Sequence, residues 1–455
     1  MVEAPAERGR ASAQGRSAAH RAVAAPHVTP LSALDEADSD RIAIGIREVD
    51  RVLGGGIVAG SLVLLGGEPG IGKSTLVLAM CGAIARATGG TGRVLYASGE
   101  ESAAQLRMRA GRLGLAGAGA GDAIDVLPET NVERIVAAAV ATAPALLVID
   151  SIQTLTTDEL DGPAGSVGQV REAAARLQAY AKENGVPAVL VGHVTKDGTL
   201  AGPKTLEHIV DVVLTLEGER FSGLRLLRSS KNRFGSTDEV GVFEMATDGL
   251  REVADPGAAF IEADSLGAPG VAVAATLEGS RPLLVEVQAL VAPQVHGSPR
   301  RTASGLDGQR LALLIAVLGR RAGMNLASHD VYASIVGGLA VEEPAIDLPL
   351  ALALASALRD RPLIPGTVLC GEIGLTGELR PVHGLARRLR EAARLGFTRA
   401  IVPSQHGRSE QMEEVSGIEL IRVATLRDAI AAALVEPQPR PERATLRIPV
   451  GEGAS

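Results

Sequence analysis

The run Gly67-Glu68-Pro69-Gly70-Ile71-Gly72-Lys73-Ser74 constrains this chain more than any other feature, because it fits G-x-x-x-x-G-K-[ST] in the setting that pattern needs. A short apolar stretch, Ser61 to Leu65, precedes it, and a helix-like stretch, Ser74 to Ala87, follows. Glycines between a strand and a helix let backbone N–H groups approach phosphates at the helix N-terminus. In such a loop Lys73 reaches the β- and γ-phosphates and the Ser74 hydroxyl ligates Mg²⁺, with Thr75 closing the phosphate-binding stretch. The other lysines are only Lys182, Lys196, Lys204 and Lys231, and arginine supplies every remaining cation. A chain that relies on arginine for solubility keeps lysine where a compact, flexible ammonium is required. The pattern predicts a nucleoside triphosphate site.

Around this loop, short apolar runs alternate with helical stretches. Strands are expected at Arg93–Ala97, Ala145–Ile149 and Ala188–Val191, and helices near Ser102–Leu113, Val132–Thr142 and Val167–Glu183. That alternation predicts a mostly parallel sheet covered on both faces. After Val210 the runs crowd together (212–216, 224–227 and 240–245), as antiparallel strands closing the sheet would. A Pro/Gly-rich connector begins at Ala254. Strands near 271–277, 283–290, 368–371, 399–402 and 419–423 then mix with helices near 310–321 and 348–359. The expected organisation is a disordered arm over 1–40, an α/β nucleotide-binding domain over 41–254 and a linker over 255–269. An α+β domain over 270–435 and a loose tail over 436–455 complete it.

Three further strand ends face the same crevice. Asp150 closes the apolar run Leu146 to Ile149, a position that holds Mg²⁺ through water, on a strand expected beside that of the phosphate loop. Glu100 and Glu101 follow Tyr96-Ala-Ser-Gly99, on another strand expected next to the loop. Glu100 is the candidate to polarise the attacking water, while Glu101 can instead serve as a first-turn helix acid. His193, Thr195 and Lys196 follow Leu190-Val191-Gly192 and are candidate sensors of the γ-phosphate. The stretch from Asp197 to Leu206 reads as a mobile loop. With these residues the chain reads as an ATPase with a RecA-type core.

Lys231-Asn232-Arg233-Phe234-Gly235 lies between two closely spaced strands and is expected at an exposed hairpin tip. Its two cations, amide and aromatic ring suit contact with DNA phosphate or with a neighbour's ATP. A net charge of −8 argues against a broad basic surface, so a nucleic-acid site must be local, in a groove or a ring pore. With no Trp, three Tyr and five Phe, a base-stacking platform of several rings is not expected. No run of about 18 apolar residues appears, and the start lacks a hydrophobic signal core, so a cytoplasmic protein without membrane partners is expected. Cys81 and Cys370 alone make neither a disulfide framework nor a four-thiolate zinc site.

Over roughly residues 41 to 435 the chain resembles the bacterial RadA (Sms) family of recombination and DNA-repair ATPases. The resemblance rests on Gly45-Ile-Arg-Glu-Val-Asp50-Arg-Val-Leu-Gly54-Gly-Gly56, Gly67 to Ser74, Asp150-Ser-Ile-Gln153-Thr154, Gly192 to Lys196 and Lys231 to Gly235. The last of these is the family's own motif. The resemblance implies a ring-forming, hexameric, DNA-dependent ATPase that loads on single strands and drives branch migration. Its partners would be single-stranded and branched DNA and the RecA recombinase, and Lys231 and Arg233 would be tied to DNA-stimulated turnover. The family normally begins with a four-cysteine zinc finger, whereas residues 1–40 contain no cysteine, so zinc is not expected here.

From about residue 268 the chain looks like the proteolytic domain of Lon. By the match around Glu343 to Asp347 and Gly371 to Ala386, Ala345 replaces the nucleophilic serine and Ala386 the catalytic lysine. A Ser–Lys dyad needs a hydroxyl and an amine, and no lysine follows Lys231, so proteolysis by that route is not expected. Arginines at Arg300, Arg301 and Arg310, and at Arg387, Arg388 and Arg390, are candidate phosphate contacts lining a ring pore, with Arg300 and Arg301 foremost. The alternative is a regulatory ATPase switch of the clock-protein type without motor activity.

Overall fold

The unbroken apolar runs of the first half become parallel strands covered on both faces, where a strand needs no polar alternation. The computed structural model describes residues 30, 41–90, 92–117, 119–193, 206–218, 223–262, 264–294, 297–404 and 415–435. Pro30 apart, the expected arm over 1–40 and tail over 436–455 lie outside the described residues. The described residues from Arg41 to Val435 cluster as one unit.

That unit opens with an antiparallel ribbon, β1 (Arg41–Ile42) and β2 (Ile57–Val58), on either side of α1 (Arg47–Leu53). There follow β3 (Leu62–Gly67), α2 (Lys73–Ala87), β4 (Val94–Ser98), α3 (Ala103–Arg112), β5 (Ile124–Pro128) and α4 (Val132–Thr142). Then come β6 (Leu146–Asp150), α5 (Val167–Asn184), β7 (Ala188–Val191), β8 (Val212–Glu217), β9 (Leu224–Asn232), β10 (Val240–Ala246) and β11 (Gly249–Glu252). The strands from β3 to β11 form one sheet in the order β11-β10-β9-β8-β3-β7-β6-β4-β5. Pairing is parallel from β8 to β5 and antiparallel from β8 to β11. Val63, Leu65 and Val148 pack against α2 on one face, while Leu62, Leu64 and Leu147 pack against α5 on the other.

Two expectations change here. The strands carrying Asp150 and Glu100 do not adjoin the phosphate-loop strand: β7 lies between β3 and β6, and β4 lies beyond β6. A crossover helix returns the chain to the sheet without fixing which neighbour it meets, so order in sequence does not give order across the sheet. The edge strand β5 also goes unseen in the sequence, because its half-exposed residues, Asp125 and Pro128 among them, make no apolar run.

The first part of the stretch read as a linker packs against the second sheet, whereas 266–269 are exposed. Phe260 is buried and bridges Val285, and the Glu262 N–H and Ser265 hydroxyl both donate to the buried Glu286 carboxylate. The second sheet contains β12 (Val271–Glu278), β13 (Arg281–Pro293), β14 (Arg301–Ser304), β15 (His329–Ile335), β16 (Thr367–Leu369), β19 (Arg399–Pro403) and β20 (Glu419–Val423). Their order is β14-β15-β13-β12-β16-β19-β20, and β17 (Glu372–Ile373) and β18 (Leu379–Arg380) make a separate ribbon. Alternation decides its two faces. Ala272, Ala274 and Val285 pack with α6 (Gly308–Ala322), α7 (Asp347–Arg359) and α9 (Leu426–Ala433), and Val273, Ala275 and Leu284 pack with α8 (Leu385–Arg394).

Strands β9 and β10 of the first sheet pack into both cores. Leu226, Val240 and Val242 belong to the second core, whereas Leu227 and Phe243, one residue along, belong to the first. Two ion pairs pin this junction, Arg228 with Glu278 and Arg281 with Glu48. At the tip of the β12–β13 hairpin Gly279 has φ +59°, and a Cβ there would lie 1.4 Å from the Asp238 carbonyl oxygen. Only glycine fits so close an approach in a left-handed conformation.

Candidate functional site

The phosphate loop runs from the end of β3 into the first turn of α2. Gly72, its N-cap, has φ +115°, and a Cβ there would meet the Met245 side chain at 2.8 Å. Glu68, Pro69 and Gly70 are exposed, Ile71 is buried, and Ser74 and Thr75 are half-buried in the opening turn of α2. Lys73 is 4% exposed, and its ammonium donates to the carbonyls of Gly67 (2.8 Å) and Glu68 (2.9 Å). Burial lowers its pKa to about 8, against the opposing attraction of Asp150 and Glu100.

Asp150 ends β6, buried. One carboxylate oxygen accepts the Tyr96 hydroxyl at 2.5 Å, and the other is buried without a hydrogen-bond partner. Burial, reinforced by the Asp150 charge, pushes the Tyr96 phenol far above its ordinary range, so it remains a donor. The unpaired oxygen is the kind of orphan that a cation satisfies. Among the described residues no group of three or more His, Cys, Asp or Glu could hold a metal, so an ion beside Asp150 would complete its shell with phosphate and water.

The two adjacent glutamates part company. Glu100 accepts from the Ser151 hydroxyl and stands 3.1 Å from His193 Nε2, while Glu101 pairs with Arg109 on α3. α3 is capped by Ser102 and Gln105, so Glu101 lies outside its first turn. Gln153 donates to the His193 carbonyl at 3.2 Å and keeps its own side-chain oxygen buried and unpaired. Lys73, Asp150, Glu100 and His193 therefore converge at the carboxyl ends of β3, β6, β4 and β7. Thr195 and Lys196, the other expected sensors, lie outside the described residues, as does Lys204. Tyr96, Ser151 and Gln153 escape the sequence-derived list of site residues: nothing local reveals that a strand tyrosine reaches an acid 54 residues away.

Lys231 and Asn232 end β9, and Arg233, Phe234 and Gly235 follow in the turn. The expectation of two free cations at the tip needs amending. The Lys231 ammonium caps the carbonyls of Glu207 and Val210, and Arg233 pairs with the buried Asp211 at 3.0 Å. The same Asp211 accepts the Leu62 N–H at 3.0 Å, which ties the motif to the start of the phosphate-loop strand. Phe234 faces outward, 36% exposed, while Asn232 receives the Phe234 N–H at 3.0 Å. Register places Asn232 opposite Val212 and Leu226 opposite Glu217. The motif thus lies at the end of the sheet away from the phosphate loop, roughly 17–20 Å off at about 3.3 Å per residue.

The arginine clusters of the second sheet are mostly occupied. Arg301 donates to the carbonyls of Arg300, Leu326 and His329, and Arg310 pairs with the fully buried Asp347. Arg388 is fully buried, bound to Glu343 and to the carbonyls of Ala275 and His383. Arg310 and Arg388 are thus each paired with a carboxylate, Asp347 and Glu343. Arg300 remains exposed. Ala345 is 1% exposed, beside Glu343.

Comparison with known proteins bears on both sheets. Residues 27–199 match a family described as AAA domain, and residues 320–406 match one described as subunit ChlI of Mg-chelatase. The DNA repair protein RadA of Bacillus subtilis (strain 168) is 46% identical over 406 residues, covering 89% of this chain and 87% of the relative. RadA of Halalkalibacterium halodurans is 49% identical over 405 residues, with the same coverage. RadA of Streptococcus pneumoniae (strain ATCC BAA-255 / R6) is 48% identical over 373 residues, covering 82% of this chain and 87% of the relative. The crystal structure of the RadB recombinase aligns with 46% of this chain and 99% of its own at 22% identity and a TM-score of 0.38, too low to bear on the architecture.

Proposed function

Because this chain belongs to the RadA family of DNA repair proteins, we propose that it is an ATPase stimulated by single-stranded DNA that drives branch migration of recombination intermediates. Its RecA-like sheet binds and hydrolyses ATP, and its Lon-like second sheet holds the assembly together. The observation that carries this reading is the meeting of Lys73, Asp150, Glu100 and His193 at the carboxyl ends of the parallel strands. Lys73 exchanges its two loop carbonyls for phosphate oxygens. Glu100, oriented by Ser151 and His193, takes the proton of the attacking water. His193 and Gln153, each with an unpaired buried atom, register the γ-phosphate and change partners when it leaves. Ser74 and Asp150, whose second carboxylate oxygen has no hydrogen-bond partner, would hold Mg²⁺, which would offset phosphate charge.

The distance from the phosphate loop to Lys231 and Arg233 bars these residues from their own protomer's nucleotide. We assign them to a DNA phosphate or to the neighbouring subunit's ATP, in a homo-oligomeric ring that works on single-stranded and branched DNA alongside the RecA recombinase. In either role Lys231 leaves its carbonyls for the new acceptor, so its present contacts are a resting arrangement. Arg300, exposed on the second sheet, is a further DNA contact, whereas Arg301 positions its backbone.

The test is the ATPase rate with and without single-stranded DNA. Lys73→Ala removes turnover, while Lys231→Ala keeps ATP binding and loses the stimulation. A rate indifferent to every oligonucleotide would instead favour the clock-type switch, and full stimulation of Lys231→Ala would remove the motif from the mechanism.

A further inference from the structure

Arg225, near the start of β9, is 5% exposed and lies behind the phosphate loop. Its Nε donates to the Ile71 carbonyl at 3.3 Å across 154 residues of sequence, and its Nη1 donates to the Leu224 carbonyl at 2.7 Å. Burial lowers its pKa, yet a guanidinium remains charged at any working pH. A buried cation is costly to keep, and one of the hydrogen bonds this one makes is to the backbone of the loop itself.

The consequence follows from peptide geometry. The Ile71 C=O and the Gly72 N–H belong to one planar trans unit and point in opposite directions. With the carbonyl held toward β9, the Gly72 N–H points away from it, into the loop, where a nest of N–H groups receives phosphate. A side chain at Gly72 is barred as well, since an added Cβ would meet Met245 at 2.8 Å and Leu250 at 3.2 Å. β9 in turn is fixed from its other face by Leu226 in the second core and by the Arg228–Glu278 pair.

We infer that Arg225 is a positioning residue of the phosphate loop, presetting the Gly72 N–H for a nucleotide phosphate and adding a fixed positive charge behind it. The inference rests on the reading of this loop as the ATP site. Its role is exerted through Ile71, without contact to the substrate.

The test compares the full chain with Arg225→Met and Arg225→Lys, in the absence of DNA, by ATPase kinetics, by the Kd of a fluorescent ATP analogue and by thermal melting. Arg225→Met is expected to raise KM and Kd by about tenfold with kcat changed much less, the order of one charge-assisted hydrogen bond. Arg225→Lys, which keeps the charge and a donor, is expected to recover most of that loss, leaving a rise of about threefold. A residue that only supported the fold would lower the melting temperature and leave KM alone. Should the Met variant fail to fold, the Lys variant decides: a raised KM supports the inference, and an unaltered KM and Kd overturn it. Absence of ATP binding by the unaltered chain would instead bring down the ATP-site reading, which keeps the two failures apart.

Discussion

Lys73 shows how one residue carries both recognition and a pH limit. Its ammonium is the form that attracts phosphate, and burial has lowered its pKa to about 8. Raising pH through that value removes the proton, so the charge is present at neutral pH and lost on the alkaline side. In the free enzyme kcat/KM for ATP should therefore fall above pH 8, by about tenfold per unit once well past it. Lys73→Arg, whose cation does not titrate there, should lack that limb in whatever activity remains. A profile of kcat/KM against pH that stays level to pH 10 would show that Lys73 is not the group that titrates. Tyr96 sets no such limit, because burial and the neighbouring Asp150 charge push its phenol far above the working range.

At the scale of elements, β9 and the β12–β13 hairpin determine how the two sheets meet. The closeness of Gly279 to the Asp238 carbonyl gives a direct check. Gly279→Ala forces the hairpin off β10 and should cost roughly 2–4 kcal/mol, read as a lower denaturation midpoint with the slope unchanged. A variant as stable as the parent would mean that the hairpin tip moves aside freely. The phosphate loop, Asp150 and Glu100 were legible in the sequence because their chemistry is local: a glycine pattern, or an acid ending an apolar run. The lateral order of strands was not, since crossover helices leave it open, and β5 was hidden by its half-exposed composition. Long-range partners were equally hidden. Neither Arg225 behind the loop nor Arg388 sealed against Glu343 differs, as a letter, from the solvated arginines around it.

For the whole molecule, the shared core makes the two sheets interdependent. Leu226, Val240 and Val242 of the first are covered by the second, and at about 1.5–3 kcal/mol per buried side chain their exposure costs roughly 5 kcal/mol or more. A chain ending after Ala254 is expected to bind hydrophobic dyes and to melt about 10 °C or more below the full chain. Equal melting temperatures for the two would show that each sheet is stable alone. The sealed Arg388–Glu343 pair and the buried Ala345 beside it have a consequence for peptidase chemistry. A serine placed at position 345 would be walled off from any polypeptide, and a lysine at 386 would lie on a different side of its helix from the sealed Arg388. Exchanging Ala345 for serine and Ala386 for lysine is therefore not expected to create a peptidase, because the hydroxyl would have no access to a peptide bond.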